Sequence, residues 1–188
     1  MQHELDGLII NDAQPAVGAE STGENVGEEI IRWLGTNNKK LNPKAKLLGL
    51  GAGYARPELG LARKLNIPDD RVTLIDKTPQ IYYPSDVQKD HPRLKYHGGT
   101  GMFAYLSRPK GKYDIVTAFG VESVLQDATR MTTFISMLPG VLNRGGFVCV
   151  NPYTGENLSE VWKESGFQRV YDSQDYLDKI IYRFNPNR

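Results

Sequence analysis

Short apolar runs alternate along the chain with segments in which apolar residues recur every three or four positions. The runs are typical of buried strands, and the recurrence is typical of amphipathic helices. The pattern predicts strands at about 46–50, 71–76, 94–97, 113–119 and 147–150, the last one entered through a tight turn at 143–146. It predicts helices at about 24–34, 57–65, 102–107, 127–142 and 157–165, with Pro139 bending or ending the fourth. The chain therefore alternates between strand and helix.

The last part of the chain follows a different pattern. Two strand-like runs, at 167–171 and 176–184, are separated by the four residues 172–175. A link this short leaves no room for a crossover helix, so the two strands are expected to pair antiparallel. The sequence thus predicts an α/β domain of five βα units closed by an antiparallel hairpin.

Residues 1–22 are weakly patterned, and small residues crowd positions 18–23. We interpret them as a flexible N-terminal segment or a lid over a site; the two alternatives stay open. Residues 23–188 are expected to form a single domain, since 188 residues suit one sizeable core.

Composition and charge narrow the function classes. The formal net charge is +1, with 39% apolar and 24% charged residues, so no nucleic-acid or membrane partner is indicated. Cys149 is the only cysteine and lies in an apolar run, which excludes a disulfide framework and predicts a buried thiol. The three histidines show no metal spacing. Without a signal peptide or a spanning segment, a cytoplasmic protein is expected.

A glycine-rich turn, Gly49–Ala55, follows the first strand, and Asp76 follows the second. Glycines let backbone N–H groups approach a ligand closely, and the acid can accept hydrogen bonds from both ribose hydroxyls. This order and spacing favour a site for an adenosine-containing ligand.

Four features together resemble class I S-adenosylmethionine-dependent methyltransferases over about residues 24–184. They are the glycine motif Leu50–Gly53, Asp76 after strand two, Tyr113–Val116 at strand four and Leu142–Phe147 before strand five. The terminal hairpin adds to the likeness. The resemblance implies a Rossmann-like three-layer sandwich with a mostly parallel seven-stranded sheet and a C-terminal antiparallel hairpin.

The resemblance also implies a cofactor and its contacts. The cofactor would be S-adenosylmethionine, and a small-molecule acceptor is expected; no metal is. The cofactor-binding candidates are Gly51, Ala52, Gly53, Tyr54, Asp76, Lys77, Gly99, Thr100, Phe119 and Gly120. Glu122 is the candidate for a catalytic base, and a helix-capping role is the alternative.

Three positions depart from the family pattern. Gly49 stands where the family usually has an acid, Ala55 where it has a third glycine, and Thr100 where an acid often lies near the adenine. These departures keep open a catalytically inactive member of the same fold that acts as a binding or scaffold partner. A nicotinamide-dependent dehydrogenase is a further alternative, against which the terminal hairpin counts.

Overall fold

The computed structural model describes residues 3–5, 8–10, 19–77, 85–119, 121, 125, 127–151, 158–172 and 179–186. The strands are β1 His3–Leu5, β2 Leu8–Ile10, β3 Leu47–Leu50, β4 Val72–Ile75, β5 Lys95–His97, β6 Tyr113–Ala118, β7 Leu142–Val150, β8 Phe167–Asp172 and β9 Ile180–Phe184. The helices are α1 Ala19–Thr36, α2 Arg56–Lys64, α3 Ser85–Asp90, α4 Met102–Ser107, α5 Ala128–Met137 and α6 Ser159–Glu164, with 3-10 turns at Asp69–Arg71 and Leu138–Gly140.

Seven strands form one sheet in the order β5-β4-β3-β6-β7-β9-β8. The first five of these pair in parallel, whereas β9 pairs antiparallel with both β7 and β8. The strand order reverses at β3, because β4 and β5 lie on one side of it and β6 and β7 on the other. Since these strands are parallel, the carboxyl ends of β3, β4 and β6 lie at one edge of the sheet. In an open α/β sheet, ligands bind at such a switch point.

Alternate residues of each strand face opposite sides, and helices cover both faces. On β3, Leu47 packs with the buried faces of α1 and α2, while Leu48 and Leu50 pack with α4, α5 and α6. The predicted three-layer sandwich with a mostly parallel seven-stranded sheet and a C-terminal hairpin is confirmed.

Helices α1 and α2 approach closely through glycines. A Cβ added at Gly23 would lie 1.8 Å from the carbonyl oxygen of Pro57, and one at Gly60 would lie 2.1 Å from that of Glu20. Arg63 on α2 forms salt bridges with Glu20 and Glu24 of α1 along the outer side. This contact fixes the start of α2, which directly follows the glycine turn.

Asp114, in the motif Tyr113–Val116, has a structural role. Its Oδ2 accepts a hydrogen bond from the Lys46 N–H at 2.9 Å, and its Oδ1 accepts one from the Asn143 side chain at 3.1 Å. Asp114 therefore ties together the amino ends of β3, β6 and β7, at the edge opposite the carboxyl ends.

Several predicted boundaries were wrong. Helix α1 begins at Ala19 rather than at 24, because its early turns pack on α2. The sequence pattern also placed Ile31 on the buried face of this helix, but Ile31 is exposed. Strand β7 begins at Leu142 rather than at 147, since a register shift between Tyr113 and Ile115 lets the expected turn continue as strand. The β1–β2 hairpin and α3 were not predicted.

The predictions for Pro139 and Cys149 are confirmed. Pro139 ends the fourth predicted helix: α5 stops at Met137 and Pro139 lies in the 3-10 turn that follows, although the predicted extent of this helix to 142 was too long. Cys149 is fully buried, and burial raises the pKa of its thiol. Within the described ranges, the helices are too short or too polar to cross a bilayer.

Candidate functional site

The glycine turn crosses the carboxyl end of β4. The backbone N–H groups of Gly51 and Ala52 both donate to the carbonyl oxygen of Ile75, at 2.8 and 3.2 Å. Gly51 and Gly53 have φ values of 67° and 48°, a left-handed conformation that side chains with a Cβ disfavour. Ala55 keeps that conformation at φ 60° although it is not a glycine, so the turn retains its shape at the altered position.

Asp76 joins the turn to the neighbouring strands. Its side chain is buried, with 7% exposed, and its Oδ2 accepts a hydrogen bond from the Gly53 N–H at 2.8 Å. Its carbonyl oxygen accepts from the Thr100 N–H at 2.9 Å, and its own N–H donates to the carbonyl oxygen of His97 at 3.3 Å. The structure therefore brings Gly53, Asp76 and Thr100 together, as expected for one site.

The glycines at this edge differ in what surrounds them. A Cβ at Gly51 would lie 2.1 Å from Cγ1 of Val121, in the segment that follows β6. A Cβ at Gly53 or Gly99 would meet no atom of the described residues within 4 Å. Gly51 is thus needed for packing, whereas Gly53 and Gly99 border open space that a ligand can fill.

The remaining predicted residues lie at the same edge with different exposure. Tyr54 is 41% exposed and Lys77 is exposed, while Phe119 at the end of β6 is buried. The Lys179 ammonium lies 5.3 Å from the centre of the Phe119 ring and donates to Oδ1 of Asn151, which follows β7. Gly120 and Glu122 lie outside the described residues, so their roles stay predictions.

Sequence reasoning missed Glu58. It is 1% exposed, and its Oε1 accepts a hydrogen bond from the Thr117 hydroxyl at 3.0 Å. A signal was present, because Glu58 precedes Leu61, Ala62 and Leu65 by three, four and seven residues and so falls on the apolar stripe of α2.

Glu58 is electrostatically unusual. Burial raises the pKa of its carboxyl to about 7; the Glu58 backbone N–H and the Thr117 hydroxyl oppose this rise, and the negative charge of Asp76 adds to it. Perturbed carboxyl groups cluster at functional sites, so Glu58 belongs among the candidates here.

Two further features of the described part of the chain bear on the choice of site. No group of three or more His, Cys, Asp or Glu residues there could hold a metal ion. A cavity of about 390 Å³ lies between α4 and α5, lined by Phe103, Thr129, Arg130 and Thr133, and it contains none of the predicted site residues. The candidate site is the carboxyl edge of the sheet, because Gly53 and Thr100 are both hydrogen-bonded to Asp76 there.

Known proteins match this chain in structure rather than in sequence. No protein-family model and no curated protein matches the sequence. The N-methyltransferase NodS from Bradyrhizobium japonicum WM9 superimposes with a TM-score of 0.62 at 18% identity, covering 89% of this chain and 98% of NodS. Magnesium protoporphyrin IX methyltransferase (ChlM) from Synechocystis PCC 6803, solved with bound S-adenosylmethionine, gives 0.60 at 15% identity over 93% of this chain and 87% of its own.

The chain has the class I S-adenosylmethionine-dependent methyltransferase fold. An O-methyltransferase family protein from Burkholderia thailandensis matches similarly, with a TM-score of 0.60 at 10% identity over 90% of this chain and 59% of that one. Proteins described as N- and O-methyltransferases thus share this fold, so the methyltransferase fold does not by itself select the acceptor atom.

Proposed function

We propose that this protein transfers a methyl group from S-adenosylmethionine to a small-molecule acceptor by direct in-line displacement. One observation carries the proposal: the Asp76 carboxylate closes the glycine turn at Gly53 on the carboxyl edge of a methyltransferase fold. That arrangement places a buried carboxylate beside open, glycine-lined space, which suits a ribose.

The residues present fit this cofactor. Gly53 and Gly99 border open space from two different loops, so a ligand can contact backbone on both sides. Thr100 is tied to Asp76 through its N–H, and its hydroxyl can donate or accept a hydrogen bond. We infer that the turn at Gly51–Tyr54 approaches the methionine portion, Asp76 binds the ribose, and Gly99 and Thr100 border the adenine.

The protein's own contribution is mainly alignment. When bound, S-adenosylmethionine supplies an electrophilic methyl carbon on a sulfonium. The turn is held by two hydrogen bonds to the Ile75 carbonyl oxygen and would hold the donor in one orientation. Positioning alone accounts for a large share of such a rate enhancement.

Binding by isothermal titration tests the proposal. Wild-type protein is titrated with S-adenosylmethionine and with S-adenosylhomocysteine. A third titration with NAD tests the alternative that the protein is a nicotinamide-dependent dehydrogenase. We expect the first two to bind and NAD not to bind. Absence of binding by both methionine compounds contradicts the proposal. Transfer of labelled methyl groups to panels of amines, alcohols and carboxylic acids then identifies the acceptor class.

A non-catalytic protein of the same fold is the second candidate. Gly49 and Thr100 favour it, because neither carries the carboxyl group that the resembling enzymes usually or often have there. Cofactor binding with no transfer to any acceptor in the panels, across the range from mildly acidic to mildly basic pH, would favour this candidate over the enzyme.

A further inference from the structure

The two carboxyl oxygens of Glu58 have different surroundings. Its Oε1 accepts a hydrogen bond from the Thr117 hydroxyl, but its Oε2 is buried and has no hydrogen-bond partner among the described residues. Buried polar atoms are almost always paired, so such an exception points to a proton, a water or a ligand group that completes it.

The carboxyl occupies space that a missing side chain leaves free. A Cβ at Gly49 would lie 2.7 Å from Cγ of Glu58 and 3.3 Å from its Cδ. Gly49 lies on β3, two residues before Gly51, and is paired in register with Leu74 on β4 and with Thr117 on β6. Glycine at position 49 therefore lets α2 deliver a carboxyl group beneath the turn, where the strand itself has none.

Negative and neutral groups face this carboxyl from the described elements around it. They are the Thr117 hydroxyl on β6, the Asp76 carboxylate after β4 and the Glu58 backbone N–H on α2, while Gly49 on β3 brings no charge. On α1, Glu20 and Glu24 are paired with Arg63. Burial and Asp76 raise the pKa of Glu58 to about 7, so near neutrality an arriving cation can displace its proton.

We propose that Glu58 is the counter-charge for a cationic group of the cofactor and that cofactor binding expels the proton of its carboxyl group. This inference rests on the proposed function. The step is balanced: the Glu58 carboxylic acid loses its proton to solvent, and the carboxylate that remains pairs with the cation. S-adenosylmethionine offers two such groups, its ammonium and its sulfonium, whereas S-adenosylhomocysteine offers only the ammonium.

The sign of the pH effect follows from this linkage. Below pH 7, binding must first remove the proton, whereas above pH 7 the carboxylate is already present. The affinity for S-adenosylmethionine is therefore expected to rise roughly tenfold between pH 6 and pH 8. Proton release per ligand bound should be greatest below the pKa of Glu58, where the free carboxyl is protonated, and should fall toward zero above it.

Isothermal titration of the full chain in phosphate and in Tris measures that release, since the two buffers have different ionisation enthalpies. We expect the Glu58→Gln variant to release no proton and to lose the pH dependence of its affinity. Glu160→Gln, an exposed glutamate on α6, is the matched control and should behave as wild type. Equal release with S-adenosylhomocysteine identifies the ammonium as the partner, and greater release with S-adenosylmethionine identifies the sulfonium.

The outcomes separate the role of Glu58 from the proposed function. Binding by wild type with no proton release overturns the role of Glu58 while leaving the proposed function intact, and this result requires no variant. Release that persists in Glu58→Gln also overturns it. If neither methionine compound binds wild type at any pH, the proposed function fails and this inference fails with it.

Discussion

Asp76 and Gly53 are joined across two loops, because the carboxylate Oδ2 of Asp76 accepts a hydrogen bond from the Gly53 backbone N–H at 2.8 Å. The same carboxylate would bind the ribose of the cofactor. Asp76 therefore shapes the turn and supplies ligand contacts, so substitutions there need a stability measurement beside every binding measurement.

Two glycines of the turn should respond differently to alanine. In Gly51→Ala, the new Cβ meets Val121 and a φ of 67° is strained, so we expect a loss of about 2–4 kcal/mol in the free energy of unfolding. In Gly53→Ala, the Cβ enters open space, and about 1–2 kcal/mol is expected from backbone strain alone.

Urea unfolding followed by circular dichroism measures both losses. Gly53→Ala should nevertheless bind S-adenosylhomocysteine at least roughly tenfold more weakly, because its methyl group takes ligand space. Equal stability of the two variants, or full affinity in Gly53→Ala, would contradict the geometry described for the turn.

Alanine substitution should also affect stability differently at two glycines of α1. Gly23→Ala places a Cβ against the backbone of α2, and we expect a loss of more than about 2 kcal/mol in the free energy of unfolding. A Cβ at Gly35, in the last turn of the same helix, would meet no described atom within 4 Å. Gly35→Ala should stabilise the protein by about 0.5–1 kcal/mol through helix propensity. Thermal and urea unfolding compare the pair, and a harmless Gly23→Ala would show that α1 does not pack on α2 as described.

Glu58 should make stability depend on pH. Its pKa is about 7 in the folded protein against an ordinary value of 4.5, so the folded state holds the proton more tightly than the unfolded state. Stability from this group is then fully present below pH 4.5 and is lost as the pH rises through 7. The loss amounts to about 3 kcal/mol, since one pKa unit corresponds to about 1.36 kcal/mol.

Glu58→Gln cannot ionise and should flatten that slope. We expect the free energy of unfolding of the variant to equal that of wild type near pH 4.5 and to exceed it about one pH unit above the pKa of Glu58. Unfolding curves taken across this pH range measure the difference. Parallel curves for the two proteins would show that Glu58 does not titrate in this window.

The alternation of strands and helices was predictable because each element has a clear period. Cys149 was predictable from its apolar neighbours, and the glycine turn and Asp76 from their order along the chain. The structure places Gly53, Asp76 and Thr100 together, since all three follow neighbouring parallel strands whose carboxyl ends meet.

Features that depend on contacts distant in sequence were not predictable. The apolar stripe of α2 could have indicated that Glu58 is buried, but its contact with Gly49 depends on the packing of α2 on the sheet, which no local pattern encodes. The start of α1 depends on Gly23 and Gly60 meeting the partner backbone, and the start of β7 depends on its pairing with β6. Intrinsic propensity is a weak guide where tertiary packing decides an element's ends.

Titration of Asp76→Ala with S-adenosylmethionine tests the central claim most directly. Loss of hydrogen bonds from ribose hydroxyls to a charged group should remove about 3 kcal/mol of binding free energy, or roughly a hundredfold in affinity. Asp70→Ala, an exposed aspartate in the 3-10 turn before β4, should bind as wild type, and circular dichroism should show both variants folded. Wild-type protein that does not bind S-adenosylmethionine, or a folded Asp76→Ala that binds with unchanged affinity, would contradict the account.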